Sequence, residues 1–369
     1  MSHIKSGHEP LIRIAKRDAI SRPKSILIRI VAVLLSLVVS GAFILAITGQ
    51  NPIRVYEVMV EGAFGTSRRS WVTIRDTMML FCIAIGLAPA YKMKFWNIGA
   101  EGQVLIGGIC TAGLMRALGN TMPTPLLLVV MACASLLGGC IWGVIPAIFK
   151  AEWHTNETLF TLMMNYVAIQ LTSYCVSLWE NPFGSNSVGI INQQTQGGWF
   201  PKIFGQAVSL NVIIVLALAI GMHIYLTYSK QGYEIAVVGD SVNTARYAGI
   251  NVKAVTIRTM AVSGAICGLA GFIAVAGASH TISTSTAGGQ GFTAIIVAWL
   301  AQFNSAIMGL IALLLVSLQK GAIQIASQFK LNNYASNVIT GIILFFILGS
   351  EFFINFRLIL RGKKGGEEK

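Results

Sequence analysis

The residues best equipped for chemistry lie in one short stretch, FWNIGAEGQVLIG at 95–107. There Asn97, Glu101 and Gln103 interrupt two long apolar runs, beside Gly99, Gly102 and Gly107. A carboxylate at membrane depth needs a charged partner, a cluster of backbone amides, or water. Glu101 therefore reads as a polar contact on a solute path or as an anchor for a broken helix. A solvated interfacial residue near Lys92 and Lys94 is the plainer reading. Asn165, followed by Tyr166, lies in a second apolar run, where an Asn more often joins helices than binds a ligand. Gln290 and Phe292 open a third stretch, which ends with Trp299. Its aromatic rings suit stacking on an aromatic solute, or simple contact with lipid or core.

No catalytic constellation accompanies these residues. The chain has no GxxxxGK[ST], GxSxG, HExxH or CxxC pattern. Of its five histidines, His3 and His8 lie near the start, and His154, His223 and His280 stand far apart at segment ends. The six cysteines all fall in apolar segments without metal-ligand spacing. No catalytic residue, metal or cofactor is expected.

The elements that must hold these residues are membrane helices. The chain is 54% hydrophobic and 11% charged over 369 residues, with a mean hydropathy of +0.69. Soluble domains carry about 25% charged residues. The formal charge of +13 is spread over loops and tails, so it reads as topology information and contact with anionic lipid, not as a nucleic-acid patch. Residues 1–24 are polar and basic and precede a run of full membrane length, so no cleavable signal is expected.

Apolar runs of spanning length cover 26–47, 72–91, 126–149, 159–178, 211–228, 254–278, 306–328 and 338–360. A further span follows the first polar stretch, up to about residue 118, and a short one covers 292–300. The expected fold class is all-α: a polytopic membrane protein of about ten transmembrane segments, two of them broken or short. Each half of the chain has one Gly and Gln interruption, at 97–104 and 288–304. Paired breaks of this kind suggest inverted repeats around a translocation path; small residues that merely permit tight packing are the alternative. Lys and Arg gather in the segments placed inside, which puts both termini in the cytoplasm. The chain then divides into a cytoplasmic tail at 1–25, a permease domain at 26–360 and a second tail at 361–369. An external excursion occupies 180–210, and the longest internal loop 229–253.

That loop carries the most compact local pattern, QGYEIAVVGDSVNTARYAGINV at 231–252. Asp240 or Ser241 can cap a short helix over 242–247, and Gly249 can end it. A short capped helix on the cytoplasmic face suits docking to another protein.

Four stretches carry a family resemblance: NIGAEGQ at 97–103, TLMMNY at 161–166, EIAVVGDSVNTARYAGINV at 234–252 and GQGFTAIIVAWLAQFN at 289–304. Through them, over about residues 70 to 350, the chain resembles the inner-membrane permeases of ATP-binding-cassette importers of the ribose and branched-chain amino acid type. It is most similar to their nucleoside branch, linked to basic membrane proteins. The resemblance implies a channel subunit in the bacterial cytoplasmic membrane with no nucleotide site of its own. Its partners would be a second permease, expected as a heterodimer, cytoplasmic ATP-binding subunits, and an external solute-binding lipoprotein or periplasmic protein. The ATPases would dock at Glu234, Gly239, Asp240, Ala245, Arg246, Tyr247 and Gly249, and the solute would pass Asn97, Glu101, Gln103, Asn165, Gln290 and Phe292. Departures cluster on that path: Gln290-Gly291-Phe292 stands where the family often has Tyr-Gly-Phe, Ala301 stands near a family glycine, and Trp299 replaces a small residue. Nucleosides lead the expected solutes, with riboflavin or a simple sugar as alternatives. An ion-driven secondary transporter and a non-transporting membrane receptor are the readings from other classes.

Overall fold

Apolar chain in a bilayer must satisfy its backbone internally, which favours helices. The computed structural model describes residues 12–16, 22–49, 51–203, 208–330 and 333–360. Its elements run β1 (Ile12–Lys16), α1 (Arg22–Thr48), α2 (Pro52–Phe64), α3 (Ser67–Lys92), α4 (Ala100–Leu118), α5 (Thr124–Trp153), α6 (Glu157–Trp179), α7 (Ser209–Tyr228), α8 (Lys230–Asp240), α9 (Val242–Tyr247), α10 (Val252–Ala274), α11 (Gln290–Leu300), α12 (Ser305–Gln328), α13 (Asn333–Asn355) and β2 (Phe356–Leu360). A π-helical turn, Val275–Ser279, extends α10.

The fold is helical, as expected, with one two-stranded antiparallel ribbon joining β1 to β2. Six helices among the described residues are long and apolar enough to cross a membrane: α3, α5, α6, α7, α10 with its π turn, and α12. The span expected at 338–360 stops as a helix at Asn355, and its last five residues form β2. Phe356-Arg357-Leu358 and Ile12-Arg13-Ile14 both alternate apolar with basic residues, the period of a strand and not of a helix. The expected tail at 1–25 therefore includes β1 and the start of α1. The expected tail at 361–369 and residues 204–207 of the 180–210 excursion lie outside the described residues.

The chain divides into two compact units, Met1–Ala63 with Leu318–Lys369, and Phe64–Ser317. The first has its own core of Ile44, Val55, Val58, Ile325, Ile339 and Ile343. The second unit holds the polar stretches. Its centre is α10, packed on α3, α4 and α5, and glycines set that packing. A methyl on Gly107 would fall on the Gly268 carbonyl, one on Gly139 on the Gly264 carbonyl, and one on Gly271 on the Val104 carbonyl. Backbones thus touch directly along the α4, α5 and α10 seams, the small-residue mode of membrane helix association. The spacing of Gly264, Gly268 and Gly271 announces this mode in the sequence.

Gly268→Ala should lower thermal stability in detergent by about 1–3 kcal/mol or more, because the methyl meets backbone that cannot rotate away. Gly221→Ala in α7 serves as the control, since nothing lies within 4 Å of the added methyl. Equal melting of the two variants would refute the close-packed seam.

Candidate functional site

The break after α3 is built from the Tyr91 end of that helix onward. The Tyr91 hydroxyl donates to the Asn97 carbonyl at 3.0 Å, which fixes the turn between α3 and α4. The Asn97 side chain folds back: its Oδ1 accepts from Gly99 N at 3.0 Å, and it exchanges long amide contacts of 3.4 Å with Gln103. Its Nδ2 also reaches Ser263 Oγ on α10 at 3.4 Å. Both Asn97 and Gln103 are buried.

Helix α6 supplies the next partners. Asn165 Oδ1 accepts from Gly102 N at 2.8 Å, and Asn165 Nδ2 donates to the Ile98 carbonyl at 2.9 Å. Thr161 Oγ1 accepts from Ile98 N at 3.1 Å. Thr161, Asn165, Ala168 and Thr172 recur at helical spacing and are all buried. One polar face of α6 therefore takes up backbone groups that the break leaves without helical partners.

Glu101 joins the two interrupted stretches. Its Oε1 accepts from Gly289 N at 2.7 Å and its Oε2 from Gly291 N at 2.8 Å. Glu101 stands in the first turn of α4, while Gly289 caps the start of α11. One carboxylate thus lies at the N-termini of two helices, where the dipoles favour negative charge. Gly289 adopts φ +76°, a left-handed conformation natural to glycine. At Gly291 a Cβ would stand 2.5 Å from Glu101 N, so only glycine admits this approach. The solvated placement near Lys92 and Lys94 does not occur. Glu101 is 6% exposed, and Lys92 Nζ donates instead to the Leu226 carbonyl at 3.0 Å.

The structure thus brings Asn97, Glu101, Gln103 and Asn165 into one network with the start of α11. Gln290 follows the cap, half-buried, and its Oε1 has no hydrogen-bond partner among the described residues. Phe292 is exposed. An aromatic cluster also bridges the two breaks. Trp96 stacks on Trp299 with ring centres 5.4 Å apart, and Tyr91 meets both rings edge-on.

The second group of residues lies on α8 and α9. The Ser229 hydroxyl caps α8 by accepting from Gly232 N at 2.9 Å. Gly239 lets α8 rest on the end of α3, because a methyl there would strike the Lys92 carbonyl. Ser241, not Asp240, caps α9, accepting from Thr244 N at 3.3 Å. Gly249 follows α9 at φ +74° and donates to the Arg246 carbonyl. Of the seven residues grouped here, Glu234 pairs with Arg258 at 2.9 Å, and Gly239 and Ala245 are buried. Asp240, Arg246, Tyr247 and Gly249 are exposed, Tyr247 to 93%. The loop expected at 229–253 is mostly helix.

The family described as "Branched-chain amino acid transport system / permease component" matches residues 72–348. The chain belongs to this family. It is a multi-pass membrane protein and a permease component, not a catalytic subunit. Among its relatives is the guanosine ABC transporter permease protein NupP of Bacillus subtilis (strain 168), 28% identical over 94% of this chain and 99% of that protein. The glucose ABC transporter permease protein TsgB13 of Haloferax volcanii is 27% identical over 92% of this chain and 91% of its own. The guanosine ABC transporter permease protein NupQ, also of B. subtilis, is 26% identical over 58% of this chain and 69% of its own.

Sequence reading missed Tyr91, Thr161 and Ser263 as parts of the network. Thr161 had a signal, since it precedes Asn165 by one helical turn. Ser263 had none, because a Ser in a glycine-rich span reads as packing.

Glu101→Gln keeps one acceptor and sets an NH2 group against a backbone N–H. It should cost roughly 1.5–3 kcal/mol, the range for hydrogen bonds to charged groups, and speed hydrogen exchange at the Gly289 and Gly291 amides. Unchanged protection of those two amides would remove Glu101 from its anchoring role.

Proposed function

We propose that the chain is the membrane-crossing subunit of an ATP-driven importer in a bacterial cytoplasmic membrane, carrying nucleosides or similar small polar solutes inward. The observation that carries this reading is the end-to-end similarity to NupP, whose printed substrate is guanosine. Glucose, the solute named for TsgB13, is the second reading, and riboflavin a third. An ion-driven mechanism finds little support, because both oxygens of Glu101 already accept backbone N–H groups.

In this reading the chain crosses the membrane about ten times, α4 and α11 forming the broken or short segments of two inverted repeats. Both termini lie in the cytoplasm. Residues 1–25 and 361–369 are tails around a permease domain at 26–360, and residues 180–210 face outward, toward a solute-binding protein. A second, different permease completes the channel, as two guanosine permeases of one bacterium, NupP and NupQ, suggest. The residues around Glu101 shape the solute path by holding α4 and α11 in register. Residues 229–253 couple to the ATPase, with Asp240, Arg246, Tyr247 and Gly249 touching it and Glu234, Gly239 and Ala245 holding α8 and α9 in place. ATP-driven closure of the ATPases rocks the channel between outward and inward openings.

Vesicles holding the permease pair, ATPase subunits and binding protein should take up guanosine only when ATP is supplied. ATP-independent uptake would overturn the importer reading, and glucose uptake alone would overturn the solute. Arg246→Glu, or Tyr247→Ala, should weaken co-purification of the ATPase about tenfold or more, as for truncated interface anchors, while the variant chain melts normally. Undiminished co-purification would mean that α9 is not the docking element.

A further inference from the structure

A cavity of about 480 Å³ opens beside α9, between the ends of α3 and α5 and the starts of α6 and α10. All four of those helices are long and apolar enough to span a membrane, so their shared end marks the level where headgroups begin. The lining includes Lys94, Lys150, His154, Arg246 and Lys253, against a single acid, Glu157. Glu157 is engaged by Lys150 at 2.7 Å, and Lys253 pairs with Glu152 at 2.7 Å. Lys94 and Arg246 have no carboxylate partner among the described residues. Basic residues at helix C-termini ordinarily do no more than complement the dipole, and Lys150 in the last turn of α5 fits that role. Arg246 in the last turn of α9 and Lys94 just past α3 also complement helix ends, but the two converge on one cavity without a carboxylate partner among the described residues.

Lys94 and His154 hold left-handed backbone conformations, φ +60° and +53°, a common ending of a helix C-terminus. Two further observations favour a ligand. Trp153, next to His154, is 64% exposed and packs on Phe149, which in turn meets Phe160. Aromatic groups of this kind mark the headgroup level of a bilayer. The cavity walls also carry apolar Val238, Val242 and Ile250, which suits a ligand part ionic and part greasy.

We propose that this cavity binds a phosphate group, with Lys94 and Arg246 as its unpaired cations. Basic pockets between helix ends at a membrane surface take lipid headgroups, so the phosphodiester of an anionic lipid is the expected source and a free phosphate compound the other. The site shares Arg246 with the face proposed to dock the ATPase, so the test varies Lys94 and not Arg246; the site stands or falls apart from the solute carried.

The test uses the full-length chain in nanodiscs of phosphatidylcholine, with or without phosphatidylglycerol, and in phosphatidylcholine with added inorganic phosphate. Phosphatidylglycerol retained through purification and the rise in Tm are read together. Lys94→Asn removes the charge with a residue that tolerates left-handed backbone, Lys94→Gly does so without any strain, and Lys202→Gln is a distant basic control. Phosphatidylglycerol should raise the Tm of the native chain and of Lys202→Gln, and bind roughly fivefold more weakly to both Lys94 variants. Stabilisation by inorganic phosphate that needs Lys94 would uphold the site and assign it to a free phosphate compound. If the native chain and both Lys94 variants respond alike in every arm, the cavity is not a phosphate site.

Discussion

The second unit turns on one carboxyl group in an apolar setting. An unpaired carboxylate at membrane depth is costly, and no cation pairs with Glu101 among the described residues. Its compensation comes from backbone: two N–H groups at the start of α11, on a carboxylate that itself rides the first turn of α4. That arrangement places strict demands on the chain. Gly289 must take a left-handed conformation, Gly291 must lack a side chain, and the two helix starts must face each other. A short helix such as α11 cannot cross a bilayer alone, and its unpaired N-terminal amides would be expensive there. Glu101 answers both difficulties at once, so the break in one half of the chain explains the break in the other.

Much of this is legible in the sequence. The two Gly and Gln interruptions stood out because polar residues are rare in apolar runs, and the short helix at 242–247 followed from capping chemistry that is local. The partner of Glu101 was not legible, because Gly289 and Gly291 lie 188 and 190 residues away and a backbone N–H leaves no mark on a sequence. Lys92 and Lys94 looked like the natural partners only because they are near in the chain. The last expected span failed for a different reason. Residues 338–360 are apolar enough throughout, and only the alternation of Phe356-Arg357-Leu358 signals that pairing with another strand takes over from helix.

The hydrogen-bond pattern also changes what the polar residues of the break are for. Asn97, Gln103 and Asn165 direct their amides to the chain itself. Buried amides already satisfied in this way have little to offer a passing solute, and breaking those contacts would leave buried polar groups unpaired. They act as a scaffold. Groups less engaged lie around it: the buried side-chain oxygen of Gln290, unpaired among the described residues, exposed Phe292, and the half-exposed Trp96–Trp299 pair. Of these, Gln290 and Trp299 are positions where the sequence is expected to depart from the family it resembles.

The same scaffold offers a mechanical route. Helix α9 is short and bonded to α8 through Ser241, and α8 rests on the end of α3 at Gly239 with no side chain between the backbones. Lys92, at that end of α3, holds the Leu226 carbonyl near the end of α7, and Tyr91 beside it holds the Asn97 carbonyl in the break. From Asn97 the contacts run through Gly99 to the first turn of α4, and Glu101 carries them to α11. Backbone-to-backbone packing resists compression more than flexible side chains do, because no rotamer change can absorb a displacement. At Gly239, α8 meets the end of α3 through backbone with no side chain to yield. Contiguity alone does not establish coupling; what distinguishes this route is that both of its ends are helices shorter than a span.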